Sequence, residues 1–90
     1  MSYVYLTRQL WPGQVVDKIV GGGKTRRYAG QRNGTFPPSI HLGRSARWLS
    51  DEVEAYRDFI IAKPRATDEE LRKFVSELVA KRPTLAQVAA

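Results

Sequence analysis

Three places in this 90-residue chain contain residue types used in catalysis or nucleotide binding. Gly23-Lys24-Thr25 ends like a phosphate-binding loop, but that pattern requires a glycine five residues before Gly23, where this chain has Lys18. His41 is the only histidine and has no cysteine or second histidine with which to bind a metal. Ser50-Asp51-Glu52 is better explained as the start of a helix than as a catalytic set with His41. We therefore expect no catalytic residue, no metal, no cofactor and no small-molecule substrate.

The basic residues are concentrated in the first half of the chain. Residues 1–48 contain eight lysines and arginines and one acid, whereas residues 49–90 contain seven bases and eight acids. The net charges of the two halves are therefore +7 and −1. A segregated basic surface is typical of nucleic-acid binding proteins, although a basic face can also serve solubility alone.

Length and composition limit the remaining possibilities. Ninety residues correspond to one small domain, in which a large enclosed active site is not expected. The absence of cysteine excludes disulfides and thiolate metal sites. We find neither a secretion signal nor an apolar run near the ~20 residues of a membrane-spanning helix, so we expect a cytoplasmic protein that does not bind membranes.

Two helices and a hairpin are predicted before residue 50. After an extended entry at residues 6–9 and a break at residues 10–13, apolar spacing predicts a short helix that ends at three glycines, Gly21 to Gly23. Residues 24–32 are predicted to form a basic helix capped at Asn33-Gly34, although Gly30 disfavours helix by about 1 kcal/mol relative to alanine. Residues 39–42 and 46–49 predict a β-hairpin with a basic turn.

Two further helices follow. Ser50 is predicted to be the N-cap of a helix that continues to Lys63-Pro64. Thr67 and Glu70 form a capping-box pattern before an amphipathic helix that closes at residues 81–83. We expect residues 84–90 to be frayed. The predicted core consists of five aromatic residues: Trp11, Phe36, Trp48, Tyr56 and Phe59.

This order of elements predicts a mainly α fold with a small β-hairpin wing, that is, a winged helix-turn-helix with an additional C-terminal amphipathic helix. Residues 1–62 would form the DNA-binding domain, residues 63–83 the additional helix and residues 84–90 a flexible tail. The three glycines then make the turn between the first two helices, and the helix that follows them presents its N–H groups, Lys24 and Thr25 to a DNA phosphate.

The stretch from Tyr28 to Tyr56 resembles the AlpA-like family of small MerR-like winged helix-turn-helix proteins, which includes prophage regulators and excisionases. The likeness covers roughly residues 5–62 and is strongest in the hairpin. The chain departs from the family before the tyrosine, at Gly22, Gly23 and Thr25-Arg26-Arg27, and after it, where Gly30 and Gln31 replace apolar residues. We therefore expect a looser and more basic recognition helix. The matching positions are Tyr28, Gly34, Phe36, Pro37, Pro38, Ile40, Leu42, Gly43, Arg44, Arg47, Trp48, Ser50, Glu52, Val53, Glu54 and Tyr56.

The resemblance implies contacts to double-stranded DNA from two elements. Because Arg26 and Arg27 project about 100° apart on a helix, we expect one to contact a guanine edge and the other a phosphate. The wing would place Arg44 along or in the minor groove, and Arg47 either there or against a core aromatic ring. The recognition-helix residues would be Lys24, Thr25, Arg26, Arg27, Tyr28 and Arg32, and the wing residues His41, Arg44, Ser45 and Arg47.

The apolar stripe of the last helix leaves two alternatives open. It either packs on the core of its own chain or docks on a neighbouring copy along DNA, and self-association is the favoured alternative. The stripe consists of Leu71, Phe74, Val75, Leu78 and Val79.

The resemblance implies an excisionase, also called a recombination directionality factor, of a mobile genetic element. Such a protein binds repeated sites cooperatively, bends DNA and directs an integrase toward excision. An AlpA-type transcriptional regulator is the close alternative. From a different class, the chain would be a small protein-interaction module or an antitoxin-like adaptor whose basic face binds an acidic protein.

Overall fold

The computed structural model describes residues 9–82, which form four helices and a three-stranded antiparallel sheet. The predicted helices and the hairpin are confirmed, whereas the first strand was not predicted. The entry at residues 6–8 and the tail at residues 84–90 lie outside the described residues. The elements are β1 (Leu10–Trp11), α1 (Gly13–Val20), α2 (Gly23–Asn33), β2 (Ile40–Leu42), β3 (Ser45–Leu49), α3 (Ser50–Ala62) and α4 (Asp68–Ala80).

The central strand of the sheet is β3, which pairs with β1 on one side and β2 on the other. Trp11 lies opposite Trp48, and the short β1 pairing is extended by Gln9. The Gln9 N–H donates to the Ser50 hydroxyl at 2.7 Å, and the Ser50 N–H donates to the Gln9 carbonyl at 2.8 Å. The prediction that Ser50 is the N-cap of α3 is therefore wrong. Its side chain bonds to the backbone of Gln9, and Leu49 takes the cap position.

The turn between α1 and α2 depends on left-handed backbone at two glycines. Gly21 ends α1 with φ +86°, and its N–H donates to the Asp17 carbonyl at 2.7 Å. Gly23, the first residue of α2, has φ +83°. Because side chains disfavour this conformation, the glycines predicted to end α1 also determine how sharply the chain turns into α2.

Glycine 30 allows α2 to approach the loop that precedes β2. A Cβ atom built at Gly30 would lie 2.6 Å from the Phe36 Cβ, far inside normal contact distance. Gln31, the next residue, also departs from the AlpA-like pattern and has a structural role. Its side-chain Oε1 accepts a hydrogen bond from the Ser39 N–H at 2.7 Å. Tertiary contacts thus support a helix whose own sequence favours it only weakly.

Replacing Gly30 with alanine is expected to destabilise the protein by about 1–2 kcal/mol, although alanine is the better helix former. The gain in helix propensity is about 1 kcal/mol, and the overpacking against Phe36 costs more. Urea unfolding monitored by circular dichroism measures the change. Ala29→Gly, next along the helix, is the control and should also destabilise by about 1 kcal/mol. A Gly30→Ala variant more stable than the wild type would contradict this packing.

The core lies between the sheet and helices α1, α3 and α4. Phe36, Trp48 and Tyr56 are buried there, as predicted, whereas Trp11 is half-buried at its edge. The Trp48 indole N–H donates to the Pro37 carbonyl at 3.1 Å, and the Tyr56 hydroxyl donates to the Thr35 carbonyl at 2.7 Å. The remaining members of the buried cluster are Val16, Val53 and Val75.

The fourth helix packs on the core of its own chain. The predicted capping box is confirmed at its start, where Thr67 and Glu70 exchange side-chain and backbone hydrogen bonds. Val75 is buried, Leu71 packs against the same cluster, and the Phe74 ring stacks on Phe59 with centroids 4.3 Å apart. These contacts match the alternative in which the stripe packs on its own core, while self-association stays a prediction. Leu78 is half-buried, and of the five residues in the stripe only Val79 is exposed.

An ion pair joins the end of α4 to α3. The Arg82 Nε donates to the Glu52 Oε2 at 2.7 Å, and its Nη2 donates to Oε1 at 2.6 Å and to the Pro38 carbonyl at 2.8 Å. The hydrogen bonds to Glu52 raise the pKa of Arg82 further above its usual value. This contact joins three parts of the chain that are distant in sequence.

Among residues 9–82, no helix is both long enough and apolar enough to cross a bilayer.

Candidate nucleic-acid interface

One side of α2 presents polar and basic residues to solvent. Lys24, Thr25, Tyr28 and Arg32 are exposed, and their spacing of three to four residues places them along one side of the helix. Tyr28 is 44% exposed, and the Lys24 Nζ lies 5.8 Å from the centroid of its ring. A helix surface of this kind offers cations, a hydroxyl group and an aromatic ring to an anionic partner.

Arg26 is also exposed, but it lies on the flank of α2. Its Cδ is 2.6 Å from the position that a Cβ at Gly22 would occupy, so the side chain lies beside the turn between α1 and α2. Burial raises the pKa of Tyr56, and the positive charge of Arg26 partly offsets this increase. The Arg26 side chain thus lies beside the α1–α2 turn and is exposed to solvent.

Arg27 is buried, which corrects the expectation that it contacts DNA. Its Nε donates to the Asp17 Oδ1 at 2.8 Å, and its Nη2 donates to Oδ2 at 3.0 Å. The guanidinium lies 4.7 Å from the centroid of Trp48, and a Cβ at Gly13 would lie 2.7 Å from its Cζ. The two arginines do diverge as helix geometry requires, but one of them points into the protein.

The Asp17–Arg27 pair joins α1 to α2. The hydrogen bond from Arg27 lowers the pKa of Asp17, and the reciprocal bond raises the pKa of Arg27. Asp17 is the only acid among residues 9–49, so this pair also neutralises the single negative charge in the basic part of the described chain.

The Asp17 contact predicts how stability depends on pH. Because folding lowers the pKa of Asp17, its stabilisation is complete above the unfolded value of about 3.9 and is lost as the pH falls through the folded value. At pH 7, Asp17→Asn is expected to cost about 1–3 kcal/mol, the typical value of a hydrogen bond to a charged group. This difference from the wild type should shrink below pH 4.

Urea titrations of the wild type and the Asp17→Asn variant at neutral and acid pH measure this dependence. Asp58→Asn is the control, since Asp58 forms an exposed pair with Arg57 that contributes little. An equal loss of stability for Asp17→Asn at both pH values would show that the ionised carboxylate is not the stabilising species.

The hairpin formed by β2 and β3 is closed by a two-residue turn, Gly43-Arg44. Gly43 has φ +64°, as the first central position of a type II′ turn requires. His41, Arg44 and Ser45 are exposed, while Arg47 is half-buried near the base of the hairpin. The turn therefore holds a cation at the tip of the hairpin.

A groove of about 440 Å³ lies between α2, β3 and the start of α1. Four predicted DNA-contacting residues border it: Lys24 and Tyr28 from α2, and Ser45 and Arg47 from β3. The buried Arg27 forms part of its wall, whereas the remaining predicted residues lie outside its lining. They are Thr25, Arg26, Arg32, His41 and Arg44.

The sequence did not predict that the first turn of α1 borders this groove. Pro12, Gly13 and Gln14 form this part of the wall. The N-terminal end of a helix carries a partial positive charge, so its position here adds to the cationic character of the groove. The break at Leu10 to Gly13 located the helix start, but only the packing of α1 against β3 places it beside α2.

The structure also places the residues that resembled catalytic or nucleotide-binding motifs. Gly23-Lys24-Thr25 begins α2 and follows a helix, whereas a phosphate-binding loop follows a strand. The Ser50 hydroxyl accepts a bond from Gln9, and Glu52 is paired with Arg82. Between residues 9 and 82, no group of three or more histidine, aspartate or glutamate side chains is arranged to hold a metal ion.

Comparison with known proteins gave no match, either to a family model, to a curated protein or to a solved structure. The site residues on α2 and the hairpin therefore remain predictions from their geometry and charge.

Proposed function

We propose that this chain binds double-stranded DNA as a winged helix-turn-helix protein. In this assignment α1 and α2 form the helix-turn-helix, α2 lies in the major groove, and the β2–β3 hairpin is the wing. The observation that carries the proposal is the cationic groove between α2 and the hairpin, in a part of the chain whose single acid is paired with Arg27.

The exposed side of α2 supplies the contacts to the major groove. Thr25, Tyr28 and Arg32 face outward at helical spacing, and Lys24 lies beside them at the edge of the groove. Arginine side chains recognise guanine edges, while lysine and hydroxyl groups bind phosphates. Because Arg27 is buried, the base contact expected of the arginine pair falls to Arg26 or to Arg32.

The wing supplies a second set of cations. Arg44 is exposed in the turn, and Arg47 lies nearer the body of the protein, where it borders the same groove as α2. The negative potential of a minor groove attracts arginine, most strongly where the groove is narrow. The wing would therefore lie along the minor groove next to the major groove that α2 occupies.

The affinity for duplex DNA is expected to fall steeply as salt is raised. If about five lysine and arginine side chains contact phosphates, a plot of the logarithm of the binding constant against the logarithm of the salt concentration should have a slope of about −4 to −5. Fluorescence anisotropy with duplexes selected from a randomised pool measures this slope. Failure to select any duplex, or salt-independent binding, would contradict the proposal and favour an adaptor that binds an acidic protein.

For the biological role, we propose that this is a cytoplasmic protein encoded by a mobile element, an excisionase that acts with an integrase. Support comes from the resemblance of residues 28–56 to AlpA-like proteins and from the cationic groove between α2 and the hairpin. A footprint on DNA flanking the gene tests this role. Repeated protected sites beside an attachment site would support excision, whereas a single site over a promoter would support transcriptional regulation.

A further inference from the structure

Leu42 is an exposed apolar residue at the tip of the β2–β3 hairpin. It is the last residue of β2, lies opposite Ser45 and immediately precedes the Gly43-Arg44 turn. Its exposed fraction is 60%, and it does not belong to the core cluster or to the residues packed against it. The fold therefore does not use Leu42 in its core.

Strand geometry explains why Leu42 is exposed. Side chains two residues apart in a strand lie on the same face, so Leu42 shares a face with Ile40. Ile40 lies at the other end of β2 and is half-buried, whereas Leu42 is beside the turn, where all residues from His41 to Ser45 are exposed.

The surroundings of Leu42 match duplex DNA rather than an apolar protein surface. Arg44 is exposed two residues further on, and no acid occurs in the sequence between Asp17 and Asp51. A single exposed leucine beside cations offers little area for an apolar protein interface. Leucine is, however, one of the side chains that minor-groove proteins insert between base pairs.

The dimensions of a hairpin also favour insertion at its tip. Paired strands lie about 4.8 Å apart before side chains are counted, and the minor groove of B-form DNA is about 6 Å wide. The hairpin therefore cannot enter an undeformed groove along its full length. Only the side chains next to the turn can enter the minor groove without deforming it. Deeper entry of the two strands requires the groove to widen.

We infer that Leu42 is a minor-groove wedge that inserts at a base-pair step and kinks the DNA, while Arg44 holds the flanking phosphate. This inference rests on the proposed function and adds to it a second mode of contact, in which an apolar side chain recognises a step that unstacks easily. Pyrimidine–purine steps are the most flexible and would be favoured at this position.

The test compares DNA bending by the wild type and by variants at position 42. Fluorescence resonance energy transfer between the ends of a duplex selected by the wild type reports the bend. Leu42→Ala is expected to abolish most of the bend and to weaken binding about 10-fold. Leu42→Met, which keeps an apolar side chain of similar volume, should retain both. The control is Ile61→Ala, which truncates another exposed apolar residue, 70% exposed in α3.

A duplex with a mismatch at the wedge step, located by footprinting, should bind the wild type more tightly than the matched duplex, because part of the unstacking cost has already been removed, whereas the Leu42→Ala variant should gain less. Two results would overturn the inference and leave the proposed function intact: a wild type that binds without bending, or a Leu42→Ala variant that bends DNA as the wild type does. A change in self-association with unaltered bending would assign Leu42 to contacts between copies. A wild type that binds no duplex would overturn both proposals.

Discussion

Replacing Arg82 with alanine is expected to lower the free energy of unfolding by about 3–5 kcal/mol, the typical cost of removing one partner from a buried ion pair. Glu52 is only 3% exposed, and both of its carboxylate oxygens accept bonds from Arg82. Without the guanidinium, a buried charge is left without this partner, and the Pro38 carbonyl loses a donor. The contact between the end of α4 and α3 should weaken as a result.

Urea unfolding of the variant measures this loss. Arg57→Ala is the matched control, because Arg57 also pairs with an acid, but on the surface, where such a contact contributes at most about 1 kcal/mol. The double variant Glu52→Ala/Arg82→Ala should recover part of the stability, since it removes the buried charge as well. A cost below about 1 kcal/mol for Arg82→Ala would show that apolar packing alone holds α4 in place.

Removing three cations from the proposed interface is expected to weaken DNA binding about 100- to 1,000-fold at physiological salt. The substitutions Arg32→Ala, Arg44→Ala and Arg47→Ala remove one cation from α2 and two from the hairpin. If each contacts a phosphate, the salt slope should also become shallower by about three units. Anisotropy titrations over a range of salt concentrations measure both quantities.

A second triple variant provides the control for net charge. The substitutions Arg65→Ala, Lys73→Ala and Lys81→Ala remove the same charge from exposed positions in the C-terminal part of the described chain. We expect this variant to bind DNA within about 3-fold of the wild type, since charges distant from the interface are screened. Equal losses for the two triple variants would mean that net charge, and not the surface of α2 and the hairpin, governs binding.

Some elements were predictable because their signals are local. The capping box of Thr67 and Glu70 marks the start of α4 within four residues, and the glycines after α1 mark its end. The hairpin followed from two short apolar stretches around Gly43. Local patterns of this kind depend only on backbone geometry and on side-chain spacing.

β1 and the role of Ser50 depended on partners distant in the sequence. A two-residue strand has almost no pattern of its own, and it forms here because Trp11 lies opposite Trp48. Ser50 had the residue type of an N-cap, yet its hydroxyl is bonded to a backbone N–H that is 41 residues away. Similarly, Gly30 was unfavourable for a helix in isolation but is required where Phe36 approaches α2.

The sequence by itself determined the order of the helices and the hairpin and the separation of charge between the two halves. Only the tertiary structure decided which cations remain available to a partner. Arg27 is buried because the turn after α1 brings Asp17 beside it, and Arg82 is half-buried because α4 packs back toward Glu52. A guanidinium can be buried only where the fold supplies a carboxylate, and that placement is a property of packing rather than of local sequence.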